Sequence, residues 1–252
     1  MFRQPKKHAA STSSVGHRGS VPPVPPTGSP IYFEAVQANS TISMISMLDT
    51  APNLEYSTDG ETWQEWQHTT ADGMHTFDTL TFTAVGDRFY LRGVNPYGFL
   101  DVENEKLSLF SMTGKIAAGG NAQSLVDGDT PTLVAKSMPF FSDYLLTKEP
   151  SNVLTQAPSL PATTLAEYCY DSMFEGCSGL TAAPSLPATT LAIDCYAGMF
   201  QDCTFNMSDD GTTFNFQCGA TLPQTVGDNT FSVPYDLADW MGNTNGFTEP
   251  EP

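Results

Sequence analysis

The chain has 252 residues, 40% of them apolar and only 15% charged, with a formal net charge of −18. That apolar share supports the core of one large or two small domains, and the strong acidity excludes a body that binds nucleic acid or other polyanions. No stretch of about 18 apolar residues offers a membrane-spanning helix.

The charge is unevenly placed. Residues 1–33 hold Arg3, Lys6, Lys7 and Arg18 and no acid, which gives +4; the remainder holds 6 bases and 28 acids, which gives −22. The opening MFRQPKKHAASTSSVGHRGS has basic residues with no apolar stretch behind them. A cytoplasmic product without a standard export signal is therefore expected. Residues 1–30 pass from basic to Ser/Gly-rich to VPPVPPTGSP, with Pro22, Pro23, Pro25 and Pro26. Such composition favours polyproline II and reads as an extended arm.

Residues 31–128 read as a β domain. IYFEAV, STISMIS, LEYSTDGETWQEW and TLTFTAVGDRFYLRGV alternate or are rich in β-branched and aromatic residues. Asp59-Gly60 is a strong hairpin signal, and Gly86-Asp87 suggests a second. Strands this short and this closely spaced argue for a small antiparallel β-sandwich. Trp63 and Trp66 lie three apart and so point to opposite faces of a regular strand. One core and one surface tryptophan is preferred to a sugar-stacking platform.

Residues 129–252 contain a repeat. APSLPATTLAEYCYDSMFEGC, from Ala157 to Cys177, returns as APSLPATTLAIDCYAGMFQDC, from Ala183 to Cys203, an offset of 26. Thr164 to Glu167 has the form of a capping box, which Ile193 breaks in the second copy. A helix is expected from there to about Gly176, with Leu165, Cys169, Met173 and Cys177 four apart and Phe174 flanking them. The second copy offers Leu191, Cys195, Met199, Phe200 and Cys203 as the same core. Each unit is apolar on one side and cannot bury that side alone, so copies stack and like lies over like. About three copies are usually needed. SNVLTQAPSLP, residues 151–161, looks like half of an earlier copy whose other half, around FFSDYLLTKEP, has diverged. FSVPYDLADWMG reads as a terminal helix that closes the stack.

The pattern LPATTLA, CY, MF and GC resembles the BspA-type leucine-rich repeat, most strongly over residues 151–203. EYSTDGETWQEW and FSVPYDLADWMG resemble the β domain that precedes such arrays and the segment that closes them. The resemblance implies an α+β chain: an N-terminal extended arm, a small antiparallel β-sandwich over 31–128, and a short leucine-rich-repeat solenoid with a C-terminal cap over 129–252. BspA-type proteins occur on gut bacteria and in phages, including crAss-like phages, and are linked to adhesion rather than catalysis. Few repeats and no visible export signal fit a virion protein better than a cell-surface adhesin.

No catalytic pattern stands out. Of four histidines, His8 and His17 lie in the arm, and none follows His75. There is no G-x-S-x-G, H-E-x-x-H or C-x-x-C. The cysteines Cys169 with Cys177, and Cys195 with Cys203, are eight apart, wider than zinc spacing, and with Cys218 they make an odd count. They read as buried thiols, with no metal. Asp127-Gly128-Asp129, Asp101 with Glu103 and Glu105, and Asp209-Asp210-Gly211 lack the spacing of a calcium loop and read as solvated turns. Glu167, Asp171, Glu175, Asp194 and Gln201 sit where the copies vary, as binding faces do.

The reading is thus of a non-catalytic structural protein of a phage virion, a head fibre or capsid decoration. Its arm, through Arg3, Lys6, Lys7, Arg18, Pro22, Pro23, Pro25 and Pro26, would dock on capsid or other virion proteins. The repeats would face host surface glycan, and a dimer or trimer would cover the apolar ends of a two-coil stack. Neither nucleic acid nor membrane is expected as a partner, and no cofactor is expected. The alternatives are a bacterial surface adhesin and, with nothing beyond acid content behind it, a glycan-degrading enzyme.

Overall fold

The computed structural model describes residues 30–203 and the backbone of 224–226 and 229–231. The arm residues before Pro30, Cys218, Asp209 to Gly211 and the closing segment around Trp240 lie outside the described residues. In chain order the elements are β1 (Ile31–Ala35), β2 (Thr41–Ser46), β3 (Leu54–Ser57), β4 (Gln64–Glu65), β5 (His68–Ala71), β6 (Met74–Phe77), β7 (Leu80–Thr81) and β8 (Arg88–Gly93). They continue with β9 (Leu100–Asp101), β10 (Lys106–Thr113), β11 (Ile116–Gly119), α1 (Ser124–Asp127), α2 (Tyr144–Thr147), β12 (Leu154–Gln156), β13 (Gln224–Val226) and β14 (Asn229–Phe231). The chain is mostly β, in a sandwich-like α+β arrangement.

One six-stranded sheet runs β12-β11-β1-β8-β3-β4, a second runs β5-β6-β2-β10-β9 with β7 also on β2, and β13 pairs with β14 in a two-stranded sheet. Alternation drives both. Ile31, Phe33 and Ala35 of β1 are buried, as are Ile42 and Met44 of β2, so each strand gives one face to the core. Phe33 meets Phe110 of the opposite sheet edge-on at 5.1 Å.

The turns follow local chemistry. Asp59-Gly60 does join a hairpin, with Glu55 opposite Glu65. The Asp59 carboxylate accepts from the amides of Glu61 and Thr62, and Gly60 adopts φ +76°. Asp72-Gly73 closes a second hairpin between β5 and β6, both residues at positive φ. Gly86-Asp87 is not a hairpin. It carries the chain from β7, which pairs with β2, across to β8 in the other sheet. Asp87 is used to hold that crossing, accepting from the amides of Thr83 and Ala84. Trp66 is 1% exposed and donates its indole N–H to the Asp78 carbonyl, whereas Trp63 lies half-buried under the Arg92 guanidinium at 4.1 Å.

The repeats grow out of both sheets. β12 pairs parallel with β11 on one side. On the other, the Phe110 amide donates to the Phe140 carbonyl and the Phe140 amide to Ser108. Ser108, Leu109 and Phe110 are buried in succession rather than alternately where the segment around Phe140 pairs along the β10 edge.

Candidate functional site

The expected helix from Thr164 to Gly176 does not form. The amides of Tyr168, Tyr170, Ser172, Phe174 and Gly176 donate to the carbonyls of Ile193, Cys195, Ala197, Met199 and Gln201 in the next copy, at 2.7–3.0 Å. The intervening amides of Asp171, Met173, Glu175 and Cys177 donate three residues back. A run of linked turns results, in which every second donor leaves the segment. An α-helix keeps its donors for itself, and here the neighbouring copy takes half of them. The Thr164–Glu167 capping box has no helix to cap. The amides of Thr163 and Thr164 donate instead to the Leu133 carbonyl.

The turns repeat every four residues. Positive φ falls at Tyr168, Ser172 and Gly176 in one copy and at Asp194, Gly198 and Asp202 in the other. A period of four keeps Cys169, Met173 and Cys177 on one face, and all three are at most 1% exposed. Their spacing thus marked the buried face correctly, while 3.6-residue geometry misread the backbone that carries it. Cys195, Met199, Phe200 and Leu191 are buried too, whereas Leu165 and Cys203 are half-buried.

Like lies over like. Tyr196 stacks on Tyr170 at 5.9 Å and 6°, and Phe200 on Phe174 at 5.7 Å and 5°. Below them, Phe141 takes the place that Phe174 holds in its copy. Its amide donates to Met173 as that of Phe174 donates to Met199, and its carbonyl accepts from the Cys177 thiol as that of Phe174 accepts from Cys203. Phe141 also lies 5.9 Å from Phe33 and 5.1 Å from Phe110. A column of rings therefore runs from the sandwich through Phe141 to Phe200. Phe141 of the diverged FFSDYLLTKEP segment thus stands at the foot of the column, and α2 forms within that segment.

The thiols are held protonated. Burial pushes Cys169 and Cys177 far up, and raises Cys203 to about 12. The Cys169 thiol donates to the Cys195 carbonyl. Cys169, Cys177 and Cys203 thus contribute to packing and to bonds with backbone carbonyls.

Outside the column lies an acidic face. Asp171, Glu175, Asp194 and Asp202 are half-buried on it, and Glu167 and Ile193 are exposed. Burial, with Asp194 and Glu175 nearby, lifts Asp171 to about 6; burial likewise raises Glu175. α2 crosses this face. Its Tyr144 hydroxyl bonds Asp202, and Lys148, which caps its C-terminus, sits 5.8 Å over the Tyr144 ring and acts on Glu175. Gln201 is half-buried at the edge.

The turn acids are engaged locally. Asp127 accepts from Thr132, Asp129 pairs with Arg92, and Asp101 accepts from Asn104. Among the described residues no group of three or more His, Cys, Asp or Glu side chains is arranged to hold a metal ion. Nor is any helix among them long and apolar enough to cross a membrane. The surface that the sequence did not reveal is a pocket at the end of the sandwich, where Asp49, Tyr97 and Glu103 are brought together by three separate loops.

Comparison with family models, with curated proteins and with solved structures gives no match.

Proposed function

We propose that the chain is a non-catalytic structural protein of a phage virion, a head fibre or capsid decoration, held to the particle by its N-terminal arm. In this reading residues 129–252 form a short leucine-rich-repeat solenoid of 26-residue period with a C-terminal cap. The solenoid faces outward and takes host surface glycan, and two or three copies associate. Neither nucleic acid nor membrane is a partner.

The observation that carries the reading is the use to which reactive side chains are put. Cys169, Cys177, Tyr170 and Tyr196 are buried as layers of one stack, matched from copy to copy. A repeat built this way supplies surface rather than a reaction centre. The resemblance to BspA-type repeats supports adhesion. The +4 arm ahead of a −22 remainder supports docking on an acidic partner.

Co-sedimentation with phage capsids tests it, comparing the chain with a variant carrying R3E, K6E, K7E and R18E over a salt series. Binding of the parent that weakens with salt and is lost in the variant is the expected result. Failure of both to sediment at low salt would remove the virion reading.

A further inference from the structure

Three loops meet at one end of the sandwich and enclose a pocket of about 630 Å³. They follow β2, β8 and β9. Pro52, Val94, Pro96, Tyr97 and Val102 supply its apolar surface. Tyr97 is 93% exposed, Val94 62% and Val102 47%. Side chains of this kind, clustered and open to water around a concavity, mark an interaction site rather than ordinary surface.

The pocket is built to keep its shape. The Asn95 carboxamide oxygen accepts from the Asn53 amide at 2.8 Å, and its nitrogen donates to the carbonyls of Asn53 and Leu125 at 3.0 and 2.7 Å. One side chain thus ties two of the loops to the core. The rim is acidic: Asp49, Asp101 and Glu103 lie on it. Lys106 pairs with Asp49 and also acts on Asp101, so one cation faces three carboxylates. Hydrogen bonds from Asn104 hold Asp101 below the usual carboxylate range, so it is ionised at neutral pH.

A ligand for such a pocket carries positive charge beside rigid apolar groups. The chain contains one such segment, RGSVPPVPP, residues 18–26. Topology places its root at the right end. β1 is antiparallel to β8 with Ile31 opposite Leu91, so Pro30, where the described chain begins, stands at the end of the sheet toward Val94 and Pro96. Val94 is three residues past Leu91, about 10 Å along the strand. Pro26 lies four residues before Pro30, and at about 3.1 Å per residue in polyproline II the segment reaches from roughly 12 to roughly 37 Å of its anchor.

We propose that this pocket receives residues 18–26 of its own chain, the prolines against Val94, Pro96 and Tyr97 and Arg18 facing Asp101 and Glu103. Proline rings on an aromatic face and a cation against carboxylates are a recurring mode of peptide recognition. Prolines also lose little entropy on docking. With residues 18–26 in the pocket, docking of the arm on a partner falls to Arg3, Lys6 and Lys7 ahead of them.

Hydrogen exchange of the full chain tests it. Three proteins are compared: the parent, an arm variant carrying R18S, P22S, P23S, P25S and P26S, and a pocket variant carrying Y97S, D101N and E103Q. Amides of 48–53 and 94–103 are expected to exchange roughly tenfold more slowly in the parent than in either variant. Unchanged amides of β10 and β11 report that the fold is intact. Synthetic RGSVPPVPP should restore protection to the arm variant and not to the pocket variant, and the parent's protection should not change on dilution. Equal exchange in all three proteins, or protection of the pocket variant by peptide, would overturn the proposal. Protection that disappears on dilution would overturn it in favour of docking between copies.

Discussion

The sandwich and the stacked repeats bury similar side chains by different rules. In the sandwich, strands of unlike sequence pair antiparallel; turns set the adjacent pairs, as Asp59-Gly60 sets β3 against β4, while β1 with β8 and β2 with β10 join strands far apart in the chain. In the stack, a segment pairs with its own copy 26 residues on, and no hairpin is needed to set the register. Side chains set it instead, since a slip would remove Tyr196 from Tyr170 and Phe200 from Phe174 together. Turn chemistry together with long-range pairing of unlike strands governs the first region, and repetition governs the second. The price is paid in backbone conformation: every fourth residue of the stack takes positive φ, whether or not it is glycine.

Where the two regions join offers the most severe way to break this contrast. Phe141 is fully buried and touches rings of both. Phe141→Ala should cost about 3–5 kcal/mol and lower thermal stability of sandwich and stack together. Calorimetry that instead showed one region melting early, with the other untouched, would mean that the column does not couple them.

Next in size is Gly176→Ala. Gly176 adopts φ +72°, and a Cβ there would lie 2.6 Å from the Tyr144 ring. The left-handed conformation alone costs about 1–2 kcal/mol for alanine, and displacement of α2 adds to it. Denaturant titration should show a loss of about 2 kcal/mol or more, and no loss would refute the tight approach.

A smaller gain should follow from making the copies more alike. Ser172 and Gly198 are counterparts, both at positive φ. Ser172→Gly should stabilise by up to about 1 kcal/mol, because relief of the left-handed penalty exceeds the added freedom of the unfolded chain. A clear loss would show that the serine hydroxyl, which bonds Asp171 and Glu175, matters more than the backbone.

The smallest effect concerns pH. Asp171 is raised from 3.8 to about 6, so its folded form holds a proton more tightly than the unfolded chain. The resulting stabilisation is fully present below about pH 3.8 and is lost as pH rises through 6. Asp171→Asn should therefore flatten the stability profile between pH 4 and 6 relative to the parent, while the turn carboxylates Asp59 and Asp87, held below the usual range, give an opposite slope only below about pH 4 in both proteins. An unchanged profile would place Asp171 in open solvent.

Much was legible in the chain itself. Period-two alternation gave β1 and β2, aspartate-glycine gave the β3–β4 hairpin, and the recurrence of Cys169, Met173 and Phe174 at Cys195, Met199 and Phe200 gave the buried face of the stack. These are local or self-referential patterns, and a single sequence contains all the information they need. The second hairpin, at Asp72-Gly73, carries the same local signal.

What tertiary structure decided involves donors and acceptors far apart in sequence. Nothing in LAEYCYDSMFEGC says that its alternate amides bond the next copy, because spacing four fits a helix face as well as a row of four-residue turns. The helix loses because the neighbour offers carbonyls in line, and a donor that leaves the segment cannot also close a helical turn. Nothing in TAVGDRF says that the chain changes sheets there, since the glycine suits either path. And no local pattern unites Asp49, Tyr97 and Glu103, which the three loops bring to one pocket only after both sheets have formed. Sequence set which faces are buried and which residues repeat; the partners of each backbone group, and the concavity at the sandwich end, follow from long-range pairing.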